Sequence, residues 1–284
     1  VPMSRNDIFD AASSPGAQQG IPQQSRDQVQ QELGFDIPVE TVPLPSLGLA
    51  YSPGHPLHQC QTADIRAMTA REEDILTSRA LIKKGTVITH LIKSCLTNKD
   101  IDVSSLLSGD RNALMIAVRI TGYGGKYHTD LTCPACSTKQ KGMYDLSALP
   151  IRALELTPTA PGANSFEFVL PLTGKRVNFK FATGHDEEEA AIISERRRKQ
   201  GIMRENVVTD ALQRAILSVD GDPDKSQIAN FIRHMPARDS LALRNYISEN
   251  EPGVDLTVPF SCTACDHEED IALPMGVNFF WPQA

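Results

Sequence analysis

Hydrophobic and polar residues alternate over positions 63–67, as in a strand with one buried face. Ala63, Ile65 and Ala67 follow this period of two, with charged residues between them. Upstream, the two prolines within residues 42–51 forbid a helix and favour an extended segment that ends in a turn. We therefore expect folding to begin near Thr41 with extended chain.

A first helix is predicted between residues 69 and 85. Thr69 and Glu72 have the spacing of a capping box, and two lysines precede the closing Gly85. The acidic residues of the first turn suit the positive end of the helix dipole, so they do not require a carboxylate site. The expected buried side of this helix comprises Ile75, Leu76, the stem of Arg79 and Ile82.

Two further helices are predicted before the first cysteine pair. One extends from Thr86 to Leu96 and has Cys95 on its apolar face, where a plain core cysteine is expected. The other begins with Asp110 as its cap and stops at Gly122. The glycines that follow lead into a strand without the Lys-Ser/Thr of a phosphate loop, so they indicate a flexible turn.

A β-hairpin with a phenylalanine-lined face is predicted in the middle of the chain. Its alternating apolar residues are Phe166, Phe168 and Leu170, then Val177, Phe179 and Phe181. Four helices are expected to cover this face. They are Asp186 to Gln200; a stripe from Val208 to Val219; a helix with Ile228, Ile232 and Met235; and one from Pro236 that buries Leu241, Leu243 or the stem of Arg244, and Ile247.

Two short cysteine pairs lie far apart in the sequence. They are Cys133 with Cys136 and Cys262 with Cys265, and each pair encloses two residues. This spacing lets one tight turn present two sulfurs to one Zn²⁺, which binds four thiolates at tetrahedral corners. Strands are predicted on both sides of each turn, at 127–132 and 138–145 and at 254–261 and 267–273. We expect one structural zinc with these four cysteines as ligands.

Two other interpretations of the cysteine pairs stay open. A redox CxxC would need to start a helix within a βαβ unit, and neither pair precedes a helical pattern. The pairs could also be two unconnected surface turns. His128 and His267 lie near the pairs, but four thiolates would make either histidine redundant as a ligand.

Charge and composition limit the classes of partner. The chain has 284 residues, 22% of them charged, and a formal net charge of −7, which argues against a dominant nucleic-acid interface. The basic run from Arg196 to Lys199 is explained by the end of a helix. We find neither a membrane-spanning stretch nor a signal segment, so we expect assembly in a reducing cytoplasm.

The predicted fold class is α+β with four parts. Residues 1–40 form a Gln-rich arm, either disordered or ordered by a neighbouring subunit, and residues 41–149 a helical region with the first knuckle. Residues 150–253 are the inserted hairpin and helices, and residues 254–284 hold the second knuckle and an aromatic tail. The two knuckles together resemble a zinc ribbon. The aromatic tail, with Phe279, Phe280 and Trp281, completes the core or fills a partner's groove.

Several segments resemble the T-even-type bacteriophage baseplate proteins. The similarity covers residues 41–144, is weaker over the insertion, and returns towards the C-terminus. The residues that carry it are Val42 to Gly48 with Tyr51, Thr69 to Leu76, Asp110 and Arg111, Arg119 to Gly124, Tyr127, the first cysteine pair, Pro236, Asp239, Pro252, Gly253, Cys262 and Cys265. The arm is not part of this pattern.

The resemblance implies a structural or assembly component of a contractile tail baseplate, in the hub or the wedge. It implies docking to other baseplate or tail subunits, a place in the virion, and neither catalysis nor a small-molecule substrate. The alternative is a zinc-ribbon nucleic-acid or transcription module, for which a basic face would be needed. An enzyme is disfavoured because four cysteines fill the zinc shell and no GxSxG, HExxH or P-loop motif occurs.

Overall fold

The computed structural model describes residues 37–201, 206–275 and 277–280. Within these ranges the fold is α+β, as predicted, with eight α-helices and eleven short strands. The helices are α1 (Ala70–Thr77), α2 (Arg79–Lys84), α3 (Val87–Cys95), α4 (Ser108–Tyr123), α5 (Gly184–Lys199), α6 (Val207–Ala215), α7 (Lys225–His234) and α8 (Ala237–Asn250). The strands are β1 (Val39–Pro43), β2 (Thr62–Arg66), β3 (Lys126–Thr132), β4 (Lys139–Asp145), β5 (Ile151–Arg152), β6 (Phe166–Val169), β7 (Arg176–Phe179), β8 (Ile216–Val219), β9 (Gly253–Val254), β10 (Thr257–Ser261) and β11 (Glu268–Ala272).

The described strands form small antiparallel sheets. Four sheets have two strands each, β1–β2, β3–β4, β5–β9 and β10–β11, and one has three in the order β6–β7–β8. Strand β5 leaves the first knuckle hairpin and β9 leads into the second, and these two strands pair with each other. The two ends of the long segment between the cysteine pairs therefore lie side by side.

One continuous hydrophobic core joins the N-terminal helices to the segment between the cysteine pairs. Helix α4 lies at its centre, with Leu114 and Val118 fully buried, and it contacts α3, β1, β2 and β9. Phe166 and Phe179 of the central hairpin belong to the same core. The division into parts at residues 149 and 253 therefore stays a prediction about folding units. No described helix has the length and apolarity needed to cross a membrane.

Helix α4 begins at Ser108, two residues before the predicted cap. The prediction that Asp110 caps this helix is wrong, because its carboxylate points into the core, where it is fully buried. There it accepts hydrogen bonds from the Ser46 N–H at 2.9 Å and from the hydroxyls of Ser46 and Tyr51. Burial raises the pKa of Asp110, and these donors act to lower it. The bonds fix the turn after β1 to the first turn of α4.

The capping box at Thr69 is confirmed, but the helix that it starts ends at Thr77. The Thr77 hydroxyl donates hydrogen bonds to backbone carbonyls in the last turn of α1. Ser78 then adopts an extended backbone that separates α1 from α2. The predicted buried side is therefore wrong beyond this break. Arg79 is exposed, and Ile82 is 42% exposed.

The predicted phenylalanine-lined hairpin is confirmed as β6–β7, and the helix expected over residues 208–219 is wrong at its end. Helix α6 stops at Ala215, and β8 follows as a third strand against β7. The free edge of β7 and the β-branched residues of this segment favour the strand over helix propensity. Leu241 is also not buried as expected. It lies two positions from the fully buried Leu243, hence on the opposite side of α8.

The single strand predicted over 254–261 is divided in the structure. The chain changes partner between β9, which pairs with β5, and β10, which pairs with β11. At the C-terminus, Phe279 and Phe280 are buried in the core, as the core interpretation of the aromatic tail expects. Trp281 and most of the predicted arm, residues 1–36, lie outside the described residues.

Glu72 is a fully buried carboxylate that links three segments. It accepts hydrogen bonds from Arg66 of β2, from Ser94 of α3 and from its own cap, Thr69. Burial acts to raise the pKa of Glu72, but the bonds from Arg66, Ser94 and Thr69 outweigh it and hold this pKa well below its usual range. The ionised form therefore stabilises the fold.

We expect Glu72→Gln to lower the free energy of unfolding at neutral pH by roughly 2 kcal/mol, between the values of exposed and buried ion pairs. Asp74→Asn, at an exposed position of the same helix, is the control. Because the folded-state pKa is depressed, the stabilisation is present above the ordinary Glu pKa of about 4.3 and is lost as the pH falls below it. Urea titrations at neutral pH and at about pH 3 check this, and a variant gap that stays constant at low pH contradicts it.

Candidate metal centre

The two cysteine pairs lie at the tips of the hairpins β3–β4 and β10–β11, and their turns have the same backbone hydrogen bonds. The Cys133 carbonyl accepts from the Ser137 N–H at 2.9 Å, and the Cys133 N–H donates to the Thr138 carbonyl at 2.9 Å. Cys262 makes the two equivalent bonds, to the residues four and five positions further on, at 3.0 and 2.9 Å. Each turn thus presents its two cysteines in the same way.

A left-handed backbone residue follows each pair. Ser137 has a φ of 60° and Asp266 a φ of 54°, and residues other than glycine seldom adopt this region of backbone conformation. The two residues occupy equivalent places, directly after the second cysteine of their pairs. This conformation turns the chain back into the second strand while both sulfurs stay on one side of the turn.

The four sulfur atoms meet between the hairpins. All of them lie within 4.8 Å of one another, and they form the only such group of His, Cys, Asp or Glu within the described residues. Cys133 Sγ lies 3.7 Å from Cys265 Sγ, and Cys136 Sγ lies 3.6 Å from Cys262 Sγ. Zinc–sulfur bonds of about 2.3 Å in a tetrahedron separate the sulfurs by about 3.8 Å. The cysteines therefore fit one tetrahedrally bound metal ion.

The same geometry argues against two independent redox dithiols. The close sulfur contacts join a cysteine of one pair to a cysteine of the other, and all four cysteines are free of disulfide bonds. Each pair also leads into a strand, β4 or β11, whereas a thioredoxin-like dithiol lies at the start of a helix. The two turns are also not unconnected, because they share this cluster.

A small apolar cluster of its own supports the cysteines. Leu131 and Phe260 are buried beside Cys133 and Cys262, with Tyr144 and Ile271 packed at the edge. Leu131 and Phe260 each lie two residues before the first cysteine of their pair, on the same side of the strand. Because these few apolar side chains bury little surface, the pair of hairpins needs additional stabilisation.

Gln140 connects the two hairpins, and sequence reasoning missed it. Its side-chain amide donates to the Ser261 carbonyl at 2.8 Å and accepts from the Thr263 N–H at 3.0 Å. Gln140 lies on β4 as one polar residue between two lysines, so its sequence context gives no signal of this role. The side chain acts as a bridge between the hairpins beside the sulfur cluster.

The thiols differ in acidity. Hydrogen bonds from the side chain and backbone of Thr138 lower the pKa of Cys136 to about 6. The His267 N–H acts to lower the pKa of Cys265, but the hydrogen bond with Cys136 and desolvation outweigh it and raise this pKa to about 12. The protein alone therefore favours a thiolate at Cys136 and a protonated thiol at Cys265. A metal cation would favour the thiolate form of all four.

The other residues considered from the sequence lie apart from this cluster. Cys95 is fully buried in the core, as predicted, and Cys60 is half-buried with its thiol 3.6 Å from the Pro56 carbonyl. His128 is exposed, and the ring of His267 faces Glu269 at 3.1 Å. Neither histidine belongs to the sulfur cluster.

A closed four-cysteine cluster between two hairpins is typical of structural metal sites, in which the metal holds chain segments together. The family model described as T4 bacteriophage base plate protein matches residues 55–281. The chain therefore belongs to this family, as its sequence resemblance indicated, and the match supports a structural role in a phage baseplate. No curated protein and no solved structure gives a significant match.

We expect the wild-type chain to contain one zinc and Cys262→Ser to lose it. Removal of one ligand opens the site, so the two hairpins lose the group that joins them. At roughly 2–4 °C per kcal/mol for a chain of this size, the melting midpoint should fall by about 10 °C. Elemental analysis and thermal melts under reducing conditions measure both effects.

Cys60→Ser is the matched control, because the serine hydroxyl can keep the contact with the Pro56 carbonyl. It should retain the zinc and melt close to the wild type. Equal melting of the two variants, or well under one zinc per wild-type chain with Cys133 and Cys136 oxidised to each other, would rule out the shared site.

Proposed function

We propose that this chain is a non-enzymatic component of a contractile phage tail baseplate that docks to neighbouring subunits around one structural Cys₄ zinc. Cys133, Cys136, Cys262 and Cys265 are the ligands in this proposal. The observation that carries it is the convergence of four sulfurs within 4.8 Å in a member of the baseplate family. In this proposal the protein is part of the virion tail, and the tail that contains it is assembled in the host cytoplasm.

The zinc would act as a joint between the tips of two hairpins, where few other contacts connect them. Their shared apolar cluster is small, and Gln140 supplies the side-chain link between them. A metal bound by two ligands from each hairpin fixes the distance and the angle between them. A baseplate transmits force during contraction, and such a joint cannot slip in register. Docking surfaces on either side would therefore keep a fixed relation.

Four thiolates leave no coordination position for water or substrate, which supports a structural and not a catalytic zinc. A general base or nucleophile would also need a partner at the site, and within the described part of the chain the cysteines are the group of His, Cys, Asp or Glu side chains that converges there. We therefore assign no catalytic residue.

The charges disfavour the alternative, a nucleic-acid module. Asp266, Glu268, Glu269 and Asp270 are exposed on the second hairpin and would repel a phosphate backbone. The basic run at the end of α5 is partly neutralised, since Arg197 pairs with Asp210, and both Arg198 and Lys199 pair with Glu195.

The proposed function predicts that purified tails contain this chain at a fixed copy number. It also predicts that phage lacking its gene form no infectious tails, because a joint component cannot be replaced by its neighbours. Quantitative mass spectrometry and electron microscopy of tails measure these results. Tails that assemble, contract and infect normally without the chain would refute the baseplate role.

We further propose that the Gln-rich segment, residues 1–40, docks to a neighbouring subunit. Its composition provides too few apolar groups for a core of its own, which favours ordering on contact. Deletion of residues 1–36, which leaves β1 intact, should therefore reduce the copy number in tails while zinc content and melting stay unchanged. Normal copy number in infectious tails would show that this segment is not a docking element.

A further inference from the structure

A polar cavity of about 400 Å³ lies where the long segment between the cysteine pairs leaves and returns. Its wall is formed by the start of α4, by β5 and β9, by the first turn of α5 and by the end of α8. The close approach of Gly109 to Pro252 closes one side, because a Cβ at Gly109 would lie 1.8 Å from the Pro252 carbonyl oxygen. The cavity is separate from the sulfur cluster, whose residues do not line it.

The charged groups of the wall do not balance. Glu187 pairs with Arg111 at 2.6 Å. Arg152 donates to the last carbonyls of α8, those of Ser248 and Glu249, at 2.9 and 3.3 Å. Glu251, by contrast, has neither an ion pair nor a hydrogen bond to its carboxylate from the described residues.

Glu251 is therefore the charged group of the wall without a direct partner within the described residues. Its side chain is half-buried, so an occupant that supplies donors and excludes water would stabilise this site. Burial and the charge of Glu187 raise the pKa of Glu251, and the charge of Arg152 offsets this only in part. A bound cation would lower the pKa of Glu251 further.

The chemistry of the wall selects a cationic occupant that donates hydrogen bonds. Three carboxylates, Glu187, Glu251 and Asp255, line the cavity and would repel an anion. A divalent metal is disfavoured because no three of these groups converge to coordination distance. A guanidinium or an ammonium carries several donors and can serve groups that are farther apart.

We propose that this cavity receives a basic side chain, Arg or Lys, of a neighbouring tail subunit, with Glu251 as its ion-pair partner. This inference rests on the proposed baseplate function, because a neighbour that docks in the assembly supplies the side chain. The site lies at the junction of α4, β5 and β9, so the docked residue contacts the segments that hold the two knuckle hairpins together.

The test uses baseplate intermediates from cells infected with phage that lack this gene, to which purified full-length variants are added. Glu251→Gln keeps the shape and removes the charge, and its incorporation should fall roughly tenfold or more, as for other desolvated interface charges. Glu251→Asp keeps the charge and should retain most of the incorporation. Glu249→Gln is the matched control, since it is the same substitution on an exposed residue outside the cavity.

Ser248→Arg decides the question if Glu251→Gln does not fold. Ser248 is exposed at the cavity rim, so the new guanidinium can fill the cavity from within the chain and exclude the neighbour. Incorporation should fall while melting and zinc content match the wild type.

Wild-type incorporation by Ser248→Arg or by a folded Glu251→Gln would overturn the proposal. An equal loss in Glu249→Gln would overturn it too, because the effect would then be one of general surface charge. A small cation that copurifies with the wild type and not with Glu251→Gln in native mass spectrometry would replace the subunit as occupant. If the wild type itself is not incorporated, the baseplate function fails, which is a different result.

Discussion

The structure depends on the meeting of two chain segments that lie far apart in sequence. Cys136 and Cys262 are separated by 126 positions, yet their sulfurs lie 3.6 Å apart. The entropic cost of closing such a loop grows only with the logarithm of its length, so a long insertion is tolerated once its ends are held. A structural zinc, with a binding free energy on the order of 10 kcal/mol, would exceed this cost. The segment between the pairs can therefore carry a hairpin and four helices without weakening the site.

The protein prepares this closure with contacts outside the cysteine cluster. Arg119 of α4 is almost fully buried and donates to the carbonyls of Phe279, Gly124 and Lys126, which ties the C-terminus to the start of β3. Tyr127 packs its ring against Phe279 and donates to the Pro274 carbonyl at 2.8 Å. These contacts position both hairpins independently of a metal. The core thus orients the knuckles, and the metal that we propose would fix their tips.

Local patterns in the sequence were enough to predict the hairpins, the capping box and the meeting of the cysteine pairs, since each depends on residues a few positions apart or on a fixed ligand chemistry. Prediction failed where a distant segment decides the outcome. Residues 216–219 become a strand because β7 offers an edge, and Asp110 turns inward because Ser46 and Tyr51 donate to it. Gln140 bridges the two hairpins only because the fold places Ser261 and Thr263 of the second hairpin beside it. The zinc, the four-part division and the arm remain predictions.

The buried carboxylates elsewhere in the molecule accept hydrogen bonds from several donors, and the carboxylate at the cavity differs from them. Glu72, Asp110 and Asp239 are all fully buried, and each accepts several hydrogen bonds that join separate segments; Asp239 accepts from Leu172 and Thr173 of the β6–β7 turn. Buried Arg119 is likewise satisfied by backbone carbonyls. Glu251, which is half-buried at the cavity, accepts no such hydrogen bond within the described residues, and a docked basic side chain would supply one. Because Glu251 lies at the junction of the segments that carry the two hairpins, a partner bound there would contact the part of the molecule on which the closure of the chain depends.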